Sequence, residues 1–338
     1  MNSEHNIRLT SAEIAQLWTG YMNNSMSKCV LKYFREKTQD EEIRTVINLA
    51  ISIADKMLQN ITEIYVKESH PIPVAFNESE DVNINAPALY SDTFFLNFVH
   101  NMSRHGLTAY GAALSGCVRS DVLELFSSAV DLTRELYFKS LNVSLEKGLY
   151  SRAAYIPIPE KVEFIEKQGY LTGWFGERRP INSLEIMHFY ENMQRNALGK
   201  ALLLGFAEVA GSKEVQNYMV RGANIANKVV EIMAHILAEE NISESPTYDS
   251  EVLKSTTPPF SEKLMMFQVT MLTGMSLGYY GTAVGTVARR DLGAKFLRIF
   301  LEAVQYAEDG ANIMIEHGWM EKPPASIDEI EIAKTKKK

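Results

Sequence analysis

Four residues in the second half of the sequence have the types and spacing of metal ligands. Glu185 and His188 form a Glu-x-x-His motif, and Glu231 and His235 lie four residues apart in another predicted helix. Either spacing places its two side chains on one helical face. Carboxylate and imidazole groups suit iron or zinc, so the sequence raises the hypothesis of a metal site at these four positions.

A structural interpretation of the same residues competes with this hypothesis. Helical periodicity places Glu231 and His235 about half a turn from the apolar Val229 and Met233, and therefore predicts that they face solvent. We accordingly expect no cofactor and keep iron or zinc as the alternative. Metal analysis of the isolated protein, compared with His188→Ala, separates the two interpretations.

The other residues that could carry chemistry favour structural roles. His100 and His105 are five residues apart, a poor spacing for one helical face, and we expect both to be core or interface residues. Cys29 and Cys117 are predicted at opposite ends of a bundle, as inert thiols that are too far apart for a disulfide. The glycines of residues 274–285 follow no predicted strand and precede no Lys-Ser/Thr pair, so they do not form a phosphate-binding loop. The sequence therefore indicates no catalytic residues, and we expect a protein that is not an enzyme.

The elements that position these residues come from an internal duplication. Tyr110-Gly111, followed by Arg119 and Asp121, recurs with the same spacing as Tyr280-Gly281, followed by Arg289 and Asp291. Further matches pair Ser11 with Ser183, Glu13 with Glu185, Asn24 with Asn196, Phe34 with Phe206, and Gly148 with Gly318. The offset is 172 positions at Glu185 and 170 at Arg289, so copy two is two residues shorter before this point. The sequence therefore predicts two copies of one domain.

Each copy has an Arg-x-Asp sequence where one predicted helix ends and the next begins. The arginine can bind the last carbonyls of the first helix, and the aspartate is expected to cap the second, a contact worth about 1 kcal/mol. A crossover topology brings Glu13, Arg119 and Asp121 to one end of copy one. It likewise gathers Glu185, Arg289 and Asp291 in copy two. We expect a structural ion-pair cluster at each end, with the arginine bridging to the glutamate.

Apolar residues at helical spacing predict an all-α fold of two tandem four-helix bundles with long crossover connections. The bundles are predicted at residues 9–150 and 181–320. An ordered linker, residues 151–180, separates them, and its aromatic side chains should pack. Residues 1–8 are expected to form a loose arm, and residues 321–338 a tail with a solvated basic end.

This architecture and two sequence strings resemble known proteins. The crossover bundle resembles the ferritin-like fold. YIPIPEKVEFIEKQGYLTGWFGERRP at residues 155–180 and EHGWMEKPP at residues 316–324 are similar to a duplicated family of endospore-forming bacteria, domain of unknown function 3231, often labelled spore-coat-like. The resemblance covers nearly the whole chain. It implies two ferritin-like bundles packed as a pseudo-dimer, and it supplies no catalytic residues.

The di-iron chemistry of ferritin-like bundles requires inward-facing Glu residues and Glu-x-x-His motifs at mid-height. The first helix of each copy instead places Ser25 and Ala197 at its central inward position. The inward positions of the last helices are Ala129, Thr133, Leu136 and Ser140 in copy one, and Ala303, Tyr306, Gly310 and Ile313 in copy two. Since none is a carboxylate, we expect the mid-bundle metal site to be lost.

Charge and hydropathy limit the partners. A net charge of -8 disfavours nucleic acid. Residues 264–288 carry no charged side chain, but their counterpart in copy one contains His100, Arg104 and His105, so we expect a buried helix and no transmembrane segment. Two cysteines and no signal peptide favour a reducing compartment, the cytoplasm, with incorporation into the spore as a further expectation.

The leading hypothesis is a non-enzymatic, sporulation-associated structural or interaction protein with protein partners or self-association. The alternative is an iron- or zinc-binding ferritin-like protein with a redox or storage function. A third interpretation is a protein that holds a small apolar ligand inside a bundle. The identity of any ligand is open at this point.

Overall fold

The computed structural model describes residues 7–174 and 178–326 of the chain. Within these ranges the secondary structure is helical, with two isolated β-bridges and no strand. The eight long helices are α1 (Ser11–Lys37), α2 (Glu41–Lys67), α3 (Asp92–Ser115), α4 (Ser120–Glu146), α5 (Ser183–Val209), α6 (Lys213–Glu239), α7 (Glu262–Thr286) and α8 (Arg290–Glu316). Residues 1–6 of the predicted arm (residues 1–8), residues 175–177 of the linker, and the closing lysines of the basic tail lie outside the described residues.

Local sequence sets the ends of the helices. Thr10 and Glu13 form a capping box at the start of α1, and Asn182 and Glu185 form the corresponding box at the start of α5. At the other ends, Gly148 follows α4 and Gly318 follows α8, each with a φ of 67°. This left-handed conformation favours glycine, so the predicted helix ends at both glycines are confirmed.

The helices pair as two hairpins in each copy, α1 with α2 and α3 with α4, then α5 with α6 and α7 with α8. A long crossover joins the hairpins of each copy, as predicted. The two crossovers also contact each other, because the amide of Asn83 donates to the carbonyl of Pro259 at 2.8 Å and that of Leu253 to Leu89 at 2.9 Å. The all-α pair of bundles is therefore confirmed.

Aromatic side chains connect the two copies. The buried Phe260 of the second crossover packs against Tyr33 of α1 and Phe206 of α5. Tyr90 of the first crossover donates its hydroxyl to the carbonyl of Leu202 at 2.7 Å. A Cβ at Gly205 would overlap the Tyr90 ring, so this close approach requires glycine. One hydrophobic core consequently extends from copy one into copy two.

The linker between the bundles has two unlike parts. Residues 170–173 pack on the end of the second bundle, where the Tyr170 ring centroid lies 3.9 Å from the guanidinium carbon of Arg179. The preceding part is exposed: Tyr155, Ile158 and Phe164 are 88%, 92% and 87% accessible to solvent. The expectation that the aromatic linker packs throughout is therefore wrong for this part, because apolar composition alone does not supply a surface to pack against.

The uncharged residues 264–286 lie in α7, where Leu264, Met265 and Met266 are fully buried, whereas Val284 near the helix end is 36% exposed. The expected buried helix is therefore found only in the first part of α7. None of the helices in the described ranges combines the length and apolarity that are needed to cross a bilayer.

Candidate functional site

Glu13 lies at the end of the first bundle and is completely buried. Its carboxylate accepts hydrogen bonds from the backbone amides of Thr10 at 2.8 Å, Val118 at 3.0 Å and Arg119 at 2.8 Å. Burial raises the pKa of Glu13, but these amide donors outweigh it and lower the pKa to about 2. The carboxylate therefore joins the start of α1 to the junction of α3 and α4.

The side chain of Arg119 contacts acidic side chains other than Glu13. Its guanidinium binds Asp121 at 2.7 and 2.8 Å and Glu68, at the end of α2, at 2.7 Å. The predicted bridge from this arginine to Glu13 is thus wrong, because Glu13 is already saturated by backbone amides. Sequence reasoning missed Glu68, although the crossover topology places the end of α2 at this same end of the bundle.

Asp121 and Asp291 do not cap their helices as predicted. Helix α4 begins at Ser120, so Arg119 is the N-cap residue and makes no side-chain capping bond. Asp121 lies in the first turn, where it accepts from the amide of Val122 at 2.9 Å and from the Arg119 guanidinium. A carboxylate in the first turn still interacts favourably with the helix dipole. Asp291 occupies the same position in α8.

The end of the second bundle repeats this arrangement with one added residue. Glu185 is fully buried and accepts from the amides of Asn182 at 2.9 Å and Arg289 at 3.0 Å. Both of its oxygens also bind the guanidinium of Arg179, each at 2.8 Å. Burial raises the pKa of Glu185, and the Arg179 and amide hydrogen bonds together bring it below its usual value. Arg179 is the last arginine of the linker string, and its role was not predicted.

The guanidinium of Arg289 binds Asp291 at 2.8 Å and Glu240 of the α6 end at 3.5 Å. Gly173 of the linker packs directly on Asp291, where a Cβ would overlap the carboxylate. Both predicted clusters therefore exist as ion-pair networks around arginine, with the buried glutamate bound to backbone amides at the centre. These contacts position helix ends, and Glu13 and Glu185 each accept four hydrogen bonds.

The structure does not bring the four candidate metal ligands together. The carboxylate of Glu185 is bound to Arg179 and to two backbone amides. Nε2 of His188 lies 2.7 Å from the Thr286 hydroxyl. Glu231 accepts from Asn227, and His235 lies 3.3 Å from Glu239 on the solvent-facing side of α6. Within residues 7–174 and 178–326, no group of three or more His, Cys, Asp or Glu side chains is placed to hold a metal ion.

The predicted inward positions at the middle of each bundle carry no carboxylate. Ser25 and Ala197 are buried at the predicted central positions. In the second bundle, the rings of Tyr218 and Tyr306 stack at 4.3 Å, and each hydroxyl donates to the backbone carbonyl of the other residue. A Cβ at Gly222 or Gly310 would overlap one of these hydroxyls, so both glycines make room for the stack.

The two histidines of α3 are buried, as expected of core and interface residues. Nδ1 of His100 lies 3.0 Å from the Ser140 hydroxyl, and Nδ1 of His105 lies 2.7 Å from the hydroxyl of Tyr279 in the other copy. Burial is the largest cause that lowers their pKa values, to about 4 for His100 and about 3 for His105. Both are therefore neutral at pH 7.

Both cysteines are free and buried. Burial, with a smaller contribution from Asp81 and Glu78, raises the pKa of the Cys29 thiol to about 12. Burial also raises the pKa of Cys117. A raised pKa keeps a thiol protonated at neutral pH, and the thiolate is the nucleophilic form.

Two grooves related by the duplication lie where α3 and α7 meet the first helix of each copy. The groove beside α5, which we call the charged cleft, has a volume of about 310 Å³ and contains Arg104, His188, Glu191 and Arg195. The groove beside α1, which we call the neutral groove, has a volume of about 130 Å³; its lining includes Gln16, Thr19, Asn23 and Met275. Neither was predicted, because each requires the two copies to be docked. A comparison of Arg195 with its counterpart Asn23 in the duplication could have indicated the charged cleft.

Comparisons with known proteins identify relatives without a described activity. Residues 1–162 and 170–332 each match the model of DUF3231, a protein family of unknown function. No curated protein sequence matches the chain. A solved structure of a proposed spore coat protein from Bacillus halodurans C-125 is 19% identical, covering 46% of this chain and 98% of its own, with a TM-score of 0.39.

Proposed function

We propose that this chain, which belongs to the DUF3231 family in two tandem copies, is a non-enzymatic structural or interaction protein that associates with the spore. The family itself is of unknown function. The proposal therefore depends on the chemistry of the chain, and chiefly on the exposed part of the linker, residues 155–165.

The exposed linker presents several large apolar side chains to solvent. Besides Tyr155, Ile158 and Phe164, the side chain of Val162 is 85% accessible. Contiguous exposed apolar residues of this kind are typical of protein interaction sites. Pro157 and Pro159 restrict the backbone between them, which reduces the conformational entropy lost when such a segment binds a partner.

The buried polar residues support a structural role. The carboxylates at both bundle ends are bound to backbone amides and arginines, and the thiols have raised pKa values. The positions at which the resemblance to ferritin-like bundles would place metal-binding carboxylates carry other side chains, such as Ala197 and Tyr306. A metal-dependent redox or storage protein remains the alternative, which metal content tests.

Association with the spore is supported by the linker and C-terminal strings, which are similar to proteins of endospore-forming bacteria. The test is to express the wild-type chain and the Ile158→Ser/Phe164→Ser variant in a sporulating host and measure each in purified spores. We expect the wild type in the spore surface extract and at least a tenfold smaller amount of the variant.

Phe138→Ser is the matched control, because Phe138 is an exposed aromatic residue on α4 outside the linker. It should leave the amount in the spore unchanged. Circular dichroism should show the same helical content for all three proteins. Equal recovery of wild type and linker variant, or absence of the wild type from spores, would contradict the proposal.

A further inference from the structure

The charged cleft lies between the two bundles and draws residues from both copies. Arg104 comes from α3 of copy one, whereas Glu191 and Arg195 come from α5 of copy two. Glu191 binds both arginines, with Oε2 2.7 Å from Nη2 of Arg195 and Oε1 3.1 Å from Nη2 of Arg104. Two guanidinium groups therefore share one carboxylate, which leaves an excess positive charge in the cleft.

Arg195 has unused hydrogen-bonding capacity in a buried place. Its side chain is only 10% exposed, and its guanidinium carbon lies 3.9 Å from the centroid of the Tyr279 ring. Its Nε atom is buried and has no hydrogen-bond partner. A buried donor without a partner is unfavourable, and an acceptor from a ligand would satisfy it.

Arg195 also borders a mostly apolar cavity of about 100 Å³ that lies between α3 of copy one and the helices of the second bundle. The cavity is lined by side chains such as Leu202, Ile225, Val269 and Leu272. A cationic cleft and an apolar cavity therefore meet at one residue. Ligand sites typically combine an apolar wall with a few polar groups that fix orientation.

The duplication shows that this charge belongs to one copy alone. In the neutral groove, Asn23 takes the position of Arg195, and Thr19 takes that of Glu191. Arg104 corresponds to Gly274 of copy two. The structural roles shared by both grooves, which include contact between the copies, are thus fulfilled without these charges.

We propose that the charged cleft binds a small amphipathic carboxylate. The carboxylate accepts hydrogen bonds from Arg195 and Arg104, and the alkyl chain enters the apolar cavity. A guanidinium group can form two parallel hydrogen bonds with a carboxylate. Burial of an aliphatic chain in the cavity favours binding, whereas a fully polar anion gains nothing from it.

The proposal is tested by calorimetric titration of the full-length protein with octanoate, butyrate, octanol and inorganic phosphate. We expect octanoate to bind more tightly than butyrate and octanol, and phosphate to bind weakly. Arg195→Gln and Arg104→Gln should each weaken octanoate binding by about tenfold or more, since each removes a charge-assisted hydrogen bond. Arg104 is partly exposed, so its substitution keeps the test valid if the Arg195 variant fails to fold.

Gly199 provides a separate test of the cavity, because it lines the cavity and a Cβ there would meet no atom within 4 Å. Gly199→Leu should fill the space, so that octanoate binds no better than butyrate. Asn23→Ala in the neutral groove is the matched control and should leave the affinity for octanoate unchanged. Equal binding by wild type and both arginine variants, no octanoate binding at millimolar concentration, or phosphate binding as tight as octanoate would each overturn the proposal.

Discussion

The ends of the two bundles repeat the same contacts between a buried glutamate and backbone amides, whereas the grooves and part of the mid-height packing differ between the copies. At the ends, Glu13 and Glu185 both accept from the amide of the arginine that precedes the last helix. At mid-height, Leu136 of copy one corresponds to Tyr306 of copy two, which stacks on a second tyrosine. Helix ends leave backbone amides that only a few side chains can satisfy. An interior needs only to be filled, so it can diverge after duplication.

The strongest test of this similarity removes the buried glutamates. Glu185→Ala should lower the free energy of unfolding by about 3–5 kcal/mol, because it leaves Arg179 and two backbone amides without their acceptor. Glu13→Ala should have a similar or slightly smaller effect, since no guanidinium binds Glu13. Urea denaturation measures both. Glu63→Ala, at an exposed site, is the control; a change below about 1 kcal/mol for either buried residue would show that the ends are not equivalent structural centres.

The pH dependence of stability should distinguish the copies. His100 and His105 have folded pKa values of about 4 and about 3, below the unfolded value, so the unfolded chain binds more protons as the pH falls below about 6.5. Their contribution to the free energy of unfolding is therefore present above pH 6.5 and is lost as the pH falls towards 4. For His100 the loss is roughly 3 kcal/mol. The corresponding residues of copy two are Thr270 and Met275.

Replacing each histidine by its counterpart, as in His100→Thr and His105→Met, should flatten the stability profile between pH 6.5 and 4. Denaturation midpoints across this range provide the measurement. A second loss, between about pH 4.5 and 2, belongs to Glu13, whose folded pKa is about 2, and should remain in both variants. An unchanged slope above pH 4.5 in both variants would contradict the assignment.

Exchanging mid-bundle residues between the copies tests whether the tyrosine stack of copy two depends on its glycines. Gly310→Ser introduces the residue of copy one, Ser140, and should destabilise the protein by about 1–3 kcal/mol because its Cβ overlaps the Tyr218 hydroxyl. Adding Tyr218→Val, which introduces the counterpart Val46, should recover part of this loss. Additive effects in the double-mutant cycle would mean that the tyrosine stack does not require the glycine.

The smallest effect is expected at Gly199, whose counterpart in copy one is Ser27. Gly199→Ala should stabilise the protein by about 0.5–1 kcal/mol, because alanine favours the helix and meets no neighbouring atom. Thermal denaturation would show a raised midpoint. A lowered midpoint would indicate that the cavity wall at α5 is less open than the structure shows.

The sequence predicted the features that depend on repetition and local spacing. The eight helices, the crossovers, the glycine helix ends and the association of Glu13 with Arg119 all follow from the duplicated pattern. The atoms that meet were less predictable: Glu13 binds the amide of Arg119, and the guanidinium binds Glu68. Since a two-residue shift in the start of α4 decides whether Asp121 caps it, spacing alone could not settle that role.

The docking of the two copies lay beyond sequence reasoning. Arg104 and Glu191 are 87 positions apart and meet only because α3 packs against α5. The prediction for the exposed linker was wrong for the opposite reason: its aromatic composition indicates burial, but none of the described residues covers residues 155–165. Both cases show that local patterns predict elements better than the surfaces between them.

The central proposal is that both bundles are held by packed side chains and buried ion pairs, and that the chain functions without a metal. The most direct test is elemental analysis by mass spectrometry of protein produced with added iron and zinc and purified without chelators. The account predicts far less than one transition-metal ion per chain, unchanged by His188→Ala. One or more ions per chain, lost in that variant, would contradict it.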